Sequence, residues 1–192
     1  MKPSLFSFLL SAVLLLGCGD TSISPVESDS HSYKLNKHSY ELIKLPPQSS
    51  PFPIIFSKTK LIDGDLGGTI KIKASYVATD GHTVEIEGKL EVPENAFIGE
   101  VYITFTIDNE FAAASFSPEL IFVTPVELDL KFEGLHLEKP ILTKGDYDFI
   151  FVNDNGNIEF VQYNGLYVDE SIGKIRVDEA KLNHFSRYAF TR

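Results

Sequence analysis

One cysteine, Cys18, stands among 192 residues, and tryptophan is absent. A single thiol excludes an internal disulfide and any site built from several thiolates. Basic residues are in the minority, 17 Lys and Arg against 27 Asp and Glu, a net charge of -10. That balance argues against nucleic acid or an anionic lipid surface as the main partner, because both reward basic patches. Long apolar runs are missing too. The longest, Leu5 to Leu16, falls well below the roughly 20 apolar residues that a helix needs to span a bilayer. No stretch longer than two turns carries convincing helical spacing.

What is present begins with that short run. Lys2, the apolar segment, and then Leu15-Leu16-Gly17-Cys18 give the order of an export signal: basic head, apolar stretch, small residue before the cut. The ending resembles a bacterial lipobox. The resemblance implies a diacylglyceryl group on the Cys18 thiol, cleavage before Cys18, and a further acyl (palmitate-type) chain on the new amino terminus. Two or more chains anchor stably where one does so only marginally. The alternative reading of Cys18 is a small apolar residue within the signal. Residues 1–17 are thus expected to be a removable signal, and without them the net charge is -11, since Lys2 is their only charged residue. The resemblance implies the outer membrane, because Gly19 stands where an inner-membrane retention signal has aspartate and Asp20 falls one place too late. An outward-facing anchor in the inner or cytoplasmic membrane is the alternative.

Residues 18–53 read as a tether. They are rich in Ser and Pro, including Ser22, Ser24, Pro25, Pro46, Pro47 and Pro51, and lack a sustained apolar pattern. Tyr33, Leu35, Tyr40, Leu42 and Leu45 leave open a strand joining the folded part. Residues 54–192 are expected to form one all-β domain, an antiparallel β-sandwich. Ile70, Ile72 and Ala74 alternate with Lys71, Lys73 and Ser75. Val84, Ile86, Leu90 and Val92 share a face, as do Val101, Ile103, Phe105 and Ile107, and Val126, Leu128, Leu130 and Phe132. Alternation of this kind marks half-buried strands. Asp80-Gly81, Asn155-Gly156 and Asn164-Gly165 are hairpin signals between them, and Asp63-Gly64-Asp65-Leu66-Gly67-Gly68 reads as a turn before Thr69.

Four ordered segments resemble the ZU-five domain of zonula occludens and netrin-receptor proteins. They are Gly67-Gly68-Thr69-Ile70, Leu90-Glu91-Val92-Pro93-Glu94-Asn95-Ala96-Phe97, Thr124-Pro125-Val126-Glu127-Leu128-Asp129-Leu130, and His184-Phe185-Ser186 extended by Arg187-Tyr188-Ala189. The chain departs from that pattern over Lys71 to Lys89 and Thr106 to Phe122. The resemblance implies that Ser186 would attack the Phe185 carbonyl, with His184 as proton acceptor, as in self-cleaving members. A hydroxyl needs such a base, and the step needs donors for the developing oxyanion. The other reading makes Leu182 to Phe190 a closing strand with Phe185 and Ala189 on one face, and His184, Ser186 and Tyr188 on the other.

Other candidates are weaker. Asn153-Asp154-Asn155-Gly156-Asn157 lacks the spacing of a calcium loop and reads as a tight turn. His31, His38, His82, His136 and His184 have no zinc-type spacing, so no metal and no cofactor is expected. Tyr163-Asn164-Gly165-Leu166-Tyr167 suggests a stacking surface for sugar or peptide, though a hairpin with its aromatics in the core is preferred. The sum is a lipid-anchored, non-catalytic interaction or structural module with an envelope protein or polymer as partner. Autoproteolysis at Phe185–Ser186 and glycan or peptide binding are the alternatives.

Overall fold

The computed structural model describes residues 40–52, 54–137, 147–153 and 158–192, and they form an all-β sandwich. Eleven strands are present among the described residues: β1 Ser57–Asp63, β2 Gly68–Val77, β3 Thr83–Val92, β4 Glu100–Ile107, β5 Ala113–Ser117, β6 Ile121–Glu133, β7 Asp148–Val152, β8 Ile158–Phe160, β9 Gly165–Asp169, β10 Lys174–His184 and β11 Arg187–Thr191. One sheet has the order β1-β4-β5-β11-β7-β8 and the other β2-β3-β6-β10-β9. All strand pairs are antiparallel.

The expected alternation is seen in β3 and β6. Val84, Ile86, Leu90 and Val92 are buried, as are Val126, Leu128, Leu130 and Phe132. The residues on the opposite face of β3 and β6 are exposed or half-buried. Burying each such side chain contributes about 1.5–3 kcal/mol relative to exposure, so these two strands alone supply much of the folding drive. Gly88 of β3 lies directly against Phe105 of the facing sheet. A Cβ there would lie 2.5 Å from Phe105 Cζ and 3.0 Å from Ile72 Cγ2. Phe105 is itself buried and packs on Phe116, with ring centroids 4.7 Å apart, so it has little room to yield.

One of the expected turns differs from expectation. Asp63-Gly64-Asp65 does turn as read: Gly67 N–H donates to the Asp63 carbonyl at 2.8 Å, and Asp65 N–H to Asp63 Oδ1 at 3.0 Å. Asp80-Gly81 lies between the paired strands β2 and β3, with Gly81 N–H donating to the Ala78 carbonyl. Asn164-Gly165, however, joins no hairpin, because β8 and β9 belong to different sheets. Asn155-Gly156 lies outside the described residues, although β7 and β8 on either side of it pair with each other.

The tether expected to extend to Pro53 needs a correction. Residues 40–52 belong to the folded domain, with Ile43 and Leu45 in the core. The segment works as a strap. Glu41 and Arg192 exchange backbone hydrogen bonds, Ile43 N–H donates to the Phe190 carbonyl at 3.1 Å, and Ala112 N–H donates to the Ile43 carbonyl at 2.8 Å. Farther along, Thr79 N–H donates to the Pro47 carbonyl, and the Tyr76 hydroxyl donates to the Pro46 carbonyl at 2.8 Å. Prolines at 46, 47 and 51 suggested a loose leash, but a strap lying on a core needs only alternate backbone partners and a few apolar anchors.

Candidate functional site

Of the residues singled out in the sequence, Cys18 lies outside the described residues, as do His31 and His38. His184, Phe185 and Ser186 are described, and their setting differs from a continuous closing strand. His184 ends β10 in one sheet, Arg187 begins β11 in the other, and Phe185–Ser186 is the corner between them. The alternation expected over Leu182 to Phe190 therefore breaks. Phe185, Tyr188, Ala189 and Phe190 are all buried.

Packing and backbone bonds fix the corner. The Phe185 ring stacks on Phe116 at 5.1 Å and meets Phe122 edge-on at 4.7 Å. Its N–H donates to the Leu120 carbonyl at 2.8 Å, and the Ser186 carbonyl accepts from Phe116 N–H at 3.0 Å. The Tyr188 hydroxyl reaches back to the His184 carbonyl at 2.5 Å. Burial holds that hydroxyl far above the ordinary tyrosine range. The reach back to a carbonyl a few residues upstream is the geometry of a tyrosine corner, which braces a chain passing between sheets. The His184 ring lies edge-on to Phe151 at 4.7 Å. Among the described residues no hydrogen bond joins His184 to Ser186.

Beside this corner lies a cleft of about 520 Å³, whose lining includes His184, Asn183, Lys181, Glu127, Glu159 and Phe160. Lys181 and Glu127, register partners on β10 and β6, form an ion pair in its wall, and Phe160 stays mostly exposed. Tyr163 borders a neighbouring depression, donating its hydroxyl to Asp148 Oδ1 at 2.9 Å. Burial first, and then Asp148, push that phenol up to about 12. The preferred hairpin with both tyrosines in the core is not what forms: Tyr167 is exposed beneath the Arg176 guanidinium, 6.0 Å from its ring centroid.

A second cluster escaped the sequence reading. Glu85 of β3 pairs with Glu133 of β6, so the β2–β3 turn lies beside the residues that follow β6. That register places His82 and His136 with ring centroids 5.0 Å apart. Asp80 sits between them. Its Oδ1 contacts His82 Nδ1, and its Oδ2 lies 3.1 Å from His136 Nε2. His82 Nε2 lies 2.6 Å from the Gly134 carbonyl. Gly134 has φ +86°, and a Cβ there would meet the Thr83 carbonyl oxygen at 2.4 Å, so only glycine presents its carbonyl in this way.

The Gly134 bond, and then the Asp80 carboxylate, raise the pKa of His82 above the ordinary histidine value. For Asp80, desolvation works upward, but the hydrogen bonds of His82 and the charges of His82 and His136 outweigh it and lower the pKa. The five histidines have no zinc-type spacing in the sequence, yet the fold brings His82 and His136 together. Spacing alone held no signal for this; only the β3–β6 register, a long-range pairing, creates it.

No known protein family, curated protein or solved structure matches this chain.

Proposed function

We propose that this chain is a lipid-anchored protein of the bacterial cell envelope, whose β-sandwich head is a non-catalytic interaction or structural module. The observation that carries the reading is the strap. Residues 40–52, which follow the Cys18 segment in the chain, are hydrogen-bonded through Ile43 to Phe190 of β11 and through Glu41 to Arg192 just after it. β11 lies inside its sheet between β5 and β7. A pull on an amino-terminal anchor is then borne by a strand flanked on both sides, which suits a head held under tension. The lipobox-like Leu15-Leu16-Gly17-Cys18 supports the anchor, and the absence of aspartate after Cys18 favours the outer membrane over the inner. The cleft by His184, with an exposed Phe160 and an ion pair, suits a protein or polymer partner better than a buried substrate.

Expression in a bacterial host with a clickable fatty acid tests the anchor. Wild type is expected to carry the label and to fractionate with membranes, and Cys18→Ser is expected to do neither. An unlabelled wild type would sink the proposal.

The corner position of Phe185–Ser186 keeps self-cleavage as a second reading, with Ser186 as nucleophile and His184 as base. Ser186–Arg192 would remain bound after a cut, because β11 is paired on both sides. Only a denaturing mass measurement would reveal it. Loss of Ser186–Arg192 in wild type but not in Ser186→Ala establishes cleavage, and an uncut wild type removes it.

A further inference from the structure

We propose that Asp80, His82 and His136 form a surface site for a divalent transition-metal ion of the zinc class. The argument starts from hydrogen-bond donors and acceptors. A backbone carbonyl only accepts, so His82 Nε2, 2.6 Å from the Gly134 oxygen, carries the proton. In a neutral imidazole the other nitrogen, Nδ1, is then a bare lone pair. It faces Asp80 Oδ1, and an ionised carboxylate also only accepts. Two lone pairs in contact need a cation between them: a second ring proton fits at contact distance, and a metal ion takes its place once the two atoms part to roughly 3.3 Å.

The rest of the arrangement favours the metal. A metal-bound histidine almost always donates its free ring N–H to a carbonyl or carboxylate, which fixes its tautomer and orientation. The Gly134 carbonyl, set by its positive φ, stands in that position beside His82 Nε2. His136 brings a second imidazole to the other oxygen of the same carboxylate, at 3.1 Å. All three ligand atoms lie within 4.8 Å of one another. Tetrahedral coordination at about 2.0–2.1 Å sets ligand atoms roughly 3.3 Å apart. The shifts needed are therefore small, and His136 is mostly exposed and free to make them.

Glu85, Glu133 and Glu170 line the same depression of about 390 Å³, with Glu133 paired to Lys131 and Lys174. Two imidazoles and one carboxylate suit zinc, whose ligands are His nitrogen, Asp or Glu oxygen and thiolate, with water completing the fourth position. Calcium and magnesium prefer oxygen ligands alone and are disfavoured here. The ion would tie the β2–β3 turn to the segment after β6, and so stabilise the open end of the five-stranded sheet.

The test uses the full-length chain without a histidine tag, purified in detergent and stripped of metal. Zinc is added in competition with a chromogenic chelator, and thermal unfolding is followed with and without zinc. Wild type is expected to bind one equivalent and to gain thermal stability. Both effects should weaken by at least about 10-fold in apparent affinity in Asp80→Asn and in His136→Ala. His136→Ala decides the matter even where Asp80→Asn disturbs its turn, because the His136 side chain is largely in solvent. Cobalt gives an independent readout: loaded wild type should develop the visible absorption of a four-coordinate site, and His136→Ala should lose it. Zinc binding of equal strength in wild type and both variants, or none in wild type, overturns the proposal and leaves the cluster a protonated turn.

Discussion

Tyr188 joins the two halves of the fold through one oxygen. Its ring packs on Phe149 at 6.2 Å and on Phe151 at 5.7 Å, while its hydroxyl holds the His184 carbonyl at the end of β10. The two contributions are separable by mutation. Tyr188→Phe keeps the ring and removes the donor, which leaves a partly buried carbonyl without its partner. The expected loss is about 1–2 kcal/mol, a net hydrogen bond plus part of a desolvation cost. Tyr188→Ala also removes the ring and should cost about 3–5 kcal/mol. Urea unfolding of the three proteins measures both steps. Equal losses for Phe and Ala would mean that the hydroxyl alone matters, and no loss for Phe would remove the corner role. Gly134 makes the same point at the histidine cluster: one residue's backbone geometry aims a carbonyl that no neighbouring sequence pattern announces.

Elements differ in how openly the sequence declares them. Strands β3 and β6 bury one face, so their alternation could be read directly from Val84 to Val92 and from Val126 to Phe132. β11 buries Tyr188, Ala189, Phe190 and Thr191 in succession, and a strand covered on both faces has no alternation to read. That is why Phe185–Ser186 looked like the middle of a strand rather than the corner between two sheets. The strap was only half declared: Leu42 and Leu45 left a joining strand open, but its extent to residue 52 was not legible. Its anchors Ile43 and Leu45 stand among prolines and polar residues, and its hydrogen-bond partners are far off in the chain, at Phe190, Glu110 and Ala112. A chain truncated to begin at residue 54 should therefore lose two core side chains and the bonds to Phe190 and Arg192. Together these are worth about 4–6 kcal/mol, a large part of an ordinary domain's stability. A chain beginning at residue 39 should melt as wild type does. Thermal unfolding of the two truncations side by side decides whether the strap is part of the fold, and identical melting would place the boundary after it.

At the scale of the whole molecule, buried phenols tie the strap, the sheet edge and the corner to one solution variable. Burial pushes Tyr76 up to about 12 from an ordinary value of 10.0, and Tyr163 and Tyr188 are shifted in the same direction, again chiefly by burial. Between those values the folded chain keeps phenolic protons that the unfolded chain has released. Stability from these groups is thus fully present below about pH 10 and is lost as pH rises through the folded pKa. General repulsion acts in the same range, since the chain already carries a net charge of -10 near neutrality. Substitution separates the two effects. Tyr76→Phe leaves the net charge unchanged near neutrality but removes the proton that Tyr76 donates to the Pro46 carbonyl of the strap. The variant should be less stable than wild type at pH 7, yet should lose less stability between about pH 9 and pH 12. The two curves of urea midpoint against pH should therefore converge on the alkaline side. Parallel curves would remove Tyr76 from alkaline unfolding and leave the loss to Tyr163, Tyr188 and repulsion. Convergence would place an alkaline event at Tyr76, where the strap is fastened to β2.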